Sequence, residues 1–579
     1  MQEKIKNLIQ RSLDGFGVPK EMIDIKVDHT TDFRFGDYST NIAMILVKSL
    51  GGTSKNPLDL AQKITEKIQQ ELKLTKNNSI AKVEAVAPGF INFYLAAPSF
   101  IENLSEINEK KVWYGKNTKL WNKKIIIEHT NLNPFKPFHI GHLVNNAVGE
   151  SIGRLYEFQD AKLTRASYGG DVGLHVAKTI WGMNSIKNEI PYEGTLKTKI
   201  DFLGKAYVLG STAYEEEGVG KEEIKVLNKK IFEKSDPEIN QAYDWGRETS
   251  LKYFQEIYAR LNSRFDYNFY ESEVADEGVV IVNTFLERGV FEKSEGAIIF
   301  PGEKYGLHNR VFITSQGLPT YEAKELGLTK KKFELHDFNY SIVVTANEQD
   351  DYFRVVLKTL EQIYPEVAAR TKHISHGLMR FASGKMSSRK GNVILGDDLL
   401  DEVKNLISAK MEDRDMSEHD RELVAEQVAI GAIKYSVLRQ SVGKDIIFDP
   451  EKSLSLDGDS GPYLQYAYVR AKSVLAKAYT ADIHANPKAR SKNGDPVLLE
   501  RLLIRFPEMI ERAAAEYAPT YIATYLIQLA GEFNSYYAQN KIIDKKDPES
   551  SYRVALTEAV SWVLKNGLHL LGIQAPERM

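Results

Sequence analysis

Two histidines separated by two residues are the most chemically distinctive feature of the sequence. His139 and His142 end the segment 131–142, which follows the apolar run 125–127. In the first turn of a helix, such side chains share one face, and the helix N-terminus offers N–H groups and positive potential to phosphates. Gly141, between them, predicts close approach of a flat ring such as adenine. The segment therefore predicts a nucleotide site, with two structural helix-capping histidines as the alternative.

A cationic loop bounded by glycines follows about 240 residues later. Residues 384–392 read Gly-Lys-Met-Ser-Ser-Arg-Lys-Gly-Asn, and Lys385, Arg389 and Lys390 are their cations. Such a loop suits a polyphosphate, because its positive side chains can contact several charged oxygens. Alone it is more typical of a solvated surface loop. Paired with the two histidines, in that order along the chain, it predicts a polyphosphate site at the same core.

The elements around these residues predict a nucleotide-binding sheet. Residues 123–129 have the pattern of a buried parallel strand, and 141–158 have that of an amphipathic helix. A second strand and helix follow near 163–177, with a glycine-rich turn. Further strand-like segments at 296–301, 310–314 and 342–345 alternate with helical patterns. This alternation predicts an α/β fold with a doubly wound, Rossmann-like core, whose crevice lies at the carboxyl ends of its strands.

The rest of the chain predicts appended units. The first 110 residues mix helical and strand patterns, residues 178–265 form a charged helical insertion over the sheet, and nearly everything after 400 has helical periodicity. The predicted domains are an N-terminal α+β domain, a catalytic domain containing the insertion, a helical linker, and a C-terminal all-α helical bundle, at 1–110, 120–395, 396–455 and 456–579.

Composition narrows the class of protein. The 579 residues contain 76 Lys+Arg, 79 Asp+Glu and no cysteine, giving a formal net charge of −3. The absence of cysteine excludes disulfides and thiolate zinc sites. No apolar run approaches the ~20 residues of a membrane span, and the N-terminus lacks a signal-peptide core, so we expect a cytoplasmic protein with no membrane partner. A near-zero charge argues against a nucleic-acid partner unless the basic surface is local.

The histidine segment and the cationic loop resemble the HIGH and KMSKS signatures of class I aminoacyl-tRNA synthetases. Within this class, the chain resembles the arginyl-tRNA synthetases almost end to end. Residues 35–41 and 88–93 are similar to their N-terminal tRNA-binding domain, and 461–467 and 570–579 to their DALR-type anticodon-binding domain. One departure is Ser388, where class I enzymes usually carry a second lysine; Arg389 or Lys390 would then supply that charge.

The resemblance implies a set of site residues. It implies catalytic roles for His139, His142 and Lys385, and ATP binding by His139, Gly141, His142, Lys385, Met386, Ser387, Ser388 and Arg389. It implies arginine binding by Asn133, His139, Glu271, Tyr321, Glu325 and Gln349, where Glu325 stands at a position that is aspartate in most members and Lys324 replaces a common arginine. It also implies tRNA binding by Asn41, Tyr463, Gln465 and Tyr466.

The implied reaction joins L-arginine to its tRNA through an arginyl-adenylate and releases AMP and pyrophosphate. The attacking carboxylate is already ionised at pH 7, so the protein must supply position and positive charge rather than a general base. A guanidinium pocket requires a carboxylate in bidentate geometry. The expected partners are ATP as Mg-ATP, arginine and its tRNA; no protein-bound metal and a monomer are expected.

Three alternatives remain open from the sequence. The first is a class I synthetase for another amino acid, with lysine foremost because it also requires acidic residues. The second is a non-catalytic tRNA-binding paralogue, although intact His139, Gly141, His142 and Lys385 argue against it. The third is a small-molecule nucleotidyltransferase, which leaves the N-terminal and helical C-terminal units unexplained.

Overall fold

The computed structural model describes residues 1–14, 16, 24–49, 56–216, 218–382, 395–412, 414–491 and 496–579. None of the helices in these ranges has the length and apolar character that crossing a bilayer requires.

The first 110 residues form a small α+β unit, as the sequence predicts. Its elements are α1 Gln2–Ser12, β1 Asp28–His29, β2 Tyr38–Thr40, α2 Ile42–Ser49, α3 Pro57–Leu74, β3 Ile80–Val86, β4 Phe90–Leu95 and α4 Ala97–Lys110. The strands pair antiparallel in the order β1-β2-β4-β3. Helix α3 begins where the Asn56 side chain accepts a hydrogen bond from the Leu58 N–H, with Pro57 in the first turn. The unit has its own core, which includes Ile5, Ile64 and Phe93.

The middle of the chain builds the sheet that carries the crevice. Its elements are β5 Lys124–Glu128, α5 Ile140–Glu157, β6 Lys162–Gly169, α6 Leu174–Ser185, α7 Leu196–Glu215, α8 Val219–Glu233, α9 Pro237–Arg260, β7 Tyr267–Tyr270, α10 Ala275–Glu287, β8 Glu292–Ser294, β9 Ala297–Phe300, β10 Arg310–Ile313, α11 Tyr321–Leu335, β11 Tyr340–Ala346, α12 Asp350–Ile363, α13 Pro365–Arg370, β12 Thr371–His376 and β13 Met379–Phe381. Five strands, all parallel, follow the order β12-β11-β5-β6-β7. The strand order reverses at β5, so the crevice of this doubly wound sheet lies at the carboxyl end of β5.

Two of the predicted strands lie outside that sheet. Strands β9 and β10 pair with β8 in a separate antiparallel sheet of three strands. Their apolar side chains, including Phe300 and Phe312, pack against α10, α11 and α12 in a separate core. The expectation that 296–301 and 310–314 belong to the doubly wound sheet is therefore wrong, because alternating apolar residues predict a strand but not the sheet that it joins.

The insertion is helical, as predicted, and most of it has its own core. Apolar residues of α6, α7, α8 and the start of α9 pack together. The second half of α9 differs, because its residues Tyr253, Phe254 and Ile257 belong to the main core of the molecule. The helix therefore anchors the insertion to the sheet domain.

In the described part of the C-terminal region, the regular elements are helices and one short strand. Its elements are α14 Gly396–Lys410, α15 Glu418–Leu438, β14 Ile446–Phe448, α16 Pro450–Ser453, α17 Gly461–Thr480, α18 Leu498–Leu503, α19 Phe506–Ala515, α20 Thr520–Gln539 and α21 Ser550–Leu570. Strand β14 pairs parallel with β13. The sequence analysis missed it because three residues are too few to show a period. The largest core runs without interruption from α5 to α14, α15, α17 and α21.

Candidate active site

A cavity of about 760 Å³ opens at the carboxyl edge of the parallel sheet. Its lining follows the strand order. Gly170 and Glu271 come directly after β6 and β7, His139 and His142 lie beyond β5 at the start of α5, and His376 ends β12. The cavity therefore has an end beside β6 and β7, a middle at the two histidines, and an opposite end beside β12.

The two histidines form a reciprocal cap at the start of α5. The Gly141 N–H donates to Nδ1 of His139 at 3.1 Å, and the His139 N–H donates to Nδ1 of His142 at 3.3 Å. Their rings stack with centroids 3.7 Å apart. Because each Nδ1 accepts a hydrogen bond, the proton of each neutral ring is on Nε2, which leaves two Nε2–H donors for a ligand.

Both imidazoles are neutral at pH 7 in this arrangement. Burial, together with the nearby Lys136 ammonium, lowers the pKa of His139 to about 4. Burial also holds the pKa of His142 well below its ordinary value, with a smaller contribution from His139. Rings in this state carry no formal positive charge, and toward an anion they can act only as hydrogen-bond donors.

The structure gives a reason for glycine at position 141 that the sequence alone does not reveal. A Cβ at this position would lie 3.0 Å from Nδ1 and Cε1 of His139. The glycine therefore allows the His139 ring to fold back onto the helix N-terminus. Its predicted contact with adenine stays a prediction.

The predicted loop residues Lys385, Met386, Ser387, Ser388 and Arg389 lie outside the described residues. Their described flanks lie beside the histidines. Phe381 lines the cavity, and Leu395 forms a β-bridge with His139. The Gly396 N–H also donates to the Phe138 carbonyl at 2.9 Å.

Three buried carboxylates line one end of the cavity, the acidic end: Glu271 directly after β7, Glu128 at the end of β5, and Glu325 on α11. Oε2 of Glu271 pairs with Nζ of Lys324 at 2.6 Å, and Glu128 pairs with Lys332; all four residues are at most 4% exposed. The third carboxylate, Glu325, is 5% exposed. Glu271 and Glu128 each have a lysine partner, whereas Glu325 has no ion-pair partner among the described residues, so it is the unpaired carboxylate of this acidic end.

The pKa values reflect this imbalance. Burial raises the pKa of Glu325 to about 7, because the opposing effect of Lys332 is offset by repulsion from Glu128 and Glu271. Burial also raises the pKa of Glu271, although Lys324 acts against it. A cation entering this space would restore the ionised forms.

The other residues predicted to bind the amino acid also reach the cavity. Oδ1 of Asn133 accepts a hydrogen bond from the Gly170 N–H at 2.7 Å, which fixes the amide between β5 and β6. Tyr321, at the start of α11, is 61% exposed at the rim, and Gln349 is exposed nearby. The structure thus brings together Asn133, His139, Glu271, Tyr321, Glu325 and Gln349.

Three charged residues at or near the cavity are not predicted from the sequence: Glu128, Lys332 and Lys136. Glu128 is the last residue of β5, a position that faces the crevice of a doubly wound sheet and could have signalled it. Lys332 carries no such signal, because only the packing of α11 places it beside Glu128. Lys136 lies in the quoted segment before the histidines, and burial lowers its pKa.

The predicted tRNA contacts lie elsewhere and have different surroundings. Gln465 has no exposed surface, and its Nε2 donates to the carbonyls of Gln427 and Gln574 at 3.1 and 2.8 Å. Its assignment to tRNA is wrong, because it ties α17 to α15 and to the C-terminal segment. Tyr463 and Tyr466 are partly exposed on the same helix, and Asn41 precedes α2.

A larger cavity of about 1470 Å³ lies at the opposite, amino edge of the sheet. Ile125, Ile342 and Lys372 form part of its lining, together with residues of α19 and α20. It contains none of the predicted site residues, so its size does not identify it as the reaction site. Among the described ranges, no group of three or more His, Asp or Glu residues is arranged to hold a metal ion.

Known families and proteins match the whole chain. The family "tRNA synthetases class I (R), catalytic domain" matches residues 103–450, "Arginyl tRNA synthetase N terminal domain" matches 3–95, and "DALR anticodon binding domain" matches 464–579. An arginine–tRNA ligase from Ligilactobacillus salivarius is 31% identical over 100% of this chain and 99% of that protein. One from Clostridium perfringens is 31% identical over 91% of each chain. The Thermus thermophilus arginyl-tRNA synthetase structure, at 23% identity, matches 100% of both chains with a TM-score of 0.77.

The doubly wound parallel sheet, the histidine pair at its crevice and the catalytic-domain match define a class I aminoacyl-tRNA synthetase. The N-terminal region narrows this class to the arginyl-tRNA synthetases, because residues 3–95 match their N-terminal domain family. The C-terminal region matches an anticodon-binding domain family. The chain belongs to the arginyl-tRNA synthetase family. The family, the enzyme class and the fold class predicted from the sequence are confirmed.

Proposed function

We propose that this protein ligates L-arginine to its tRNA in two steps. In the first step, the arginine carboxylate attacks the α-phosphorus of Mg-ATP to form arginyl-adenylate and release pyrophosphate. In the second, the ribose of the terminal tRNA nucleotide takes the arginyl group and AMP leaves. The observation that carries the proposal is the acidic end of the cavity, where the unpaired carboxylate of Glu325 lies in the same cavity as the start of α5 with its two histidines.

Recognition of arginine follows from the charge balance at that end. The guanidinium supplies the cation that Glu128, Glu271 and Glu325 lack after pairing with Lys324 and Lys332. A planar guanidinium can bond two carboxylate oxygens at once, which an ammonium cannot do in the same geometry. The buried hydroxyl of Tyr168, which has no hydrogen-bond partner among the described residues, adds an acceptor.

The roles of the other residues follow from position. The amide of Asn133 holds the amino-acid backbone between β5 and β6, and Tyr321 and Gln349 close the rim over it. The Nε2–H groups of His139 and His142 bind the oxygens of the α- and β-phosphates as charge builds up on them. Lys385 supplies positive charge to the β- and γ-phosphates, and Leu395, which follows its segment in the chain, forms a β-bridge with His139.

The tRNA contacts the N-terminal α+β unit and the helical C-terminal unit. Of the four contact residues that the resemblance implies, Asn41, Tyr463 and Tyr466 remain candidates, because Gln465 is buried. The protein acts as a monomer in the cytoplasm, where its substrates ATP and tRNA are found.

The test is aminoacylation of purified tRNA with each of the twenty amino acids in turn. We expect charging with arginine alone, because analogues without a guanidinium leave buried carboxylates unpaired. Charging with lysine instead would overturn the arginine assignment, and charging with no amino acid would support a non-catalytic tRNA-binding protein.

A further inference from the structure

His376 is a buried histidine in the candidate active site that the proposed reaction does not use. It ends β12 and is 2% exposed. It lines the cavity at the end opposite Glu271. The strand reads Thr-Lys-His-Ile-Ser-His, and Ile374 and His376 are its two buried residues.

The hydrogen bonds of the ring determine its tautomer. Nδ1 of His376 lies 2.8 Å from the carbonyl oxygen of Gly377. A carbonyl only accepts, so Nδ1 carries the proton. Burial lowers the pKa of His376, and the ring is therefore neutral at pH 7 with Nε2 as an acceptor. This Nε2 is buried and has no hydrogen-bond partner among the described residues, a costly condition that calls for a ligand or a water.

The strand order indicates which part of ATP lies at this end. Neighbouring strands are about 4.8 Å apart, and β12 and β7 each lie two strands from β5, on opposite sides. With arginine beside β6 and β7 and the phosphates at the histidines beyond β5, the nucleoside must extend toward β12. Val144, Leu378 and Met379 supply apolar surface there for a flat base.

We propose that His376 reads the base of ATP, with its Nε2 accepting a hydrogen bond from the exocyclic 6-amino group of adenine. This inference rests on the proposed function, because it requires ATP in this cavity. A purine with a 6-oxo group would place an acceptor against an acceptor and would be rejected.

The test compares nucleotides in arginine charging by the full chain. ATP carries the 6-amino donor, purine riboside triphosphate carries no group at that position, and inosine triphosphate carries an acceptor. In His376→Phe, which keeps a ring but removes the acceptor, we expect the ratio of kcat/KM for ATP over purine riboside triphosphate to fall about tenfold, the size of one lost hydrogen bond. In His376→Gln, whose side chain can still accept, we expect the ratio to stay within about twofold of the original.

His373→Phe is the matched control. It makes the same substitution on the same strand, but His373 does not line the cavity, and its Nε2 already lies 2.7 Å from Oγ1 of Thr345. The ratio should not change in this variant. Equal loss of activity with both nucleotides in His376→Phe would overturn the inference and assign His376 to packing or to a water in the narrow gap beside Val148 and Val437. Such a result would concern His376 alone. The original protein would still charge tRNA with arginine and ATP, so the proposed function would stand.

Discussion

Two buried ionic clusters lie within this protein, and their charges are balanced differently. The first is the acidic end of the cavity, where Glu128, Glu271 and Glu325 face Lys324 and Lys332. The second lies against the far half of α5. There Glu150 accepts hydrogen bonds from Arg154 at 2.7 Å and Arg165 at 2.9 Å, and Lys434 donates to the carbonyls of Leu261 and Gly572 at 2.7 and 3.1 Å.

The pKa values separate the two clusters. Burial acts to raise the pKa of Glu150, but Arg154 and Arg165 outweigh it and hold the value at about 2. At the acidic end, burial raises the pKa of Glu325 to about 7. A carboxylate surrounded by guanidinium groups is stabilised as an anion, and its ion pairs connect the elements that carry them. A buried carboxylate without a cationic partner can instead bind a cationic ligand. The cluster on α5 therefore holds structural elements together, and the cluster at the cavity has the charge balance that the proposed arginine site requires.

The largest expected effect comes from Glu271→Gln, which removes one charge from the acidic end. We expect kcat/KM for arginine to fall by about 10³-fold or more, because the buried lysine and the incoming guanidinium would then compete for fewer carboxylates. Steady-state aminoacylation over a range of arginine concentrations measures this. A loss below about tenfold would contradict the assignment of this cluster to arginine.

Glu150→Gln tests the other cluster. We expect the free energy of unfolding to fall by about 3 kcal/mol, because two buried arginines lose their anion. The KM for arginine should stay within about twofold at temperatures where the variant is folded. Denaturant unfolding and aminoacylation of the same preparation measure both. The pKa of Glu150 is depressed in the folded state, so its stabilisation is present above its unfolded pKa near 4.5 and is lost as the pH falls toward about 2. A rise in the KM for arginine without a loss of stability would contradict the assignment of Glu150 to a structural role.

Lys385→Ala tests whether Lys385, which belongs to neither buried ionic cluster, supplies positive charge to the phosphates of ATP. We expect the activation rate to fall by about 10²-fold, as for loss of one charge contact in a transition state. Single-turnover formation of arginyl-adenylate in the presence of tRNA measures it. Arginine binding should be unaffected, and an unchanged rate would remove Lys385 from the mechanism.

The smallest effect is a pH dependence of arginine binding. With the pKa of Glu325 at about 7, lowering the pH from 7.5 to 6 protonates this carboxyl and removes the unpaired negative charge. We expect the KM for arginine to rise about tenfold over this range, since the guanidinium then meets a neutral group. In Glu325→Gln, the KM should be high at both pH values and should no longer change. A KM for the original protein that does not vary with pH would contradict the account of Glu325.

Much of the site was predictable from the sequence because its signals are local. The spacing of His139 and His142 after an apolar strand predicts a helix start at this point, which the structure has. Their reciprocal cap is what the structural alternative predicts, and phosphate binding stays a prediction. Glu271 and Glu325 were identified by resemblance to the family rather than by spacing. Gln465 shows the limit of that method, since a polar residue in a matching segment can be buried in a core. Strand β14 and the separate sheet of β8, β9 and β10 show that short or alternating segments do not reveal their pairing partners.

The sequence by itself determined the types of chemistry available and their order along the chain. These are a helix start with two histidines, a cationic loop, scattered acidic residues, and no cysteine to bind a metal. Only the tertiary structure decided which charges meet. Glu128 and Lys332 stand 204 residues apart, and their pairing leaves Glu325 without a cation. Charge balance at a buried site depends on distances of a few ångströms between distant segments, and the strand order sets those distances.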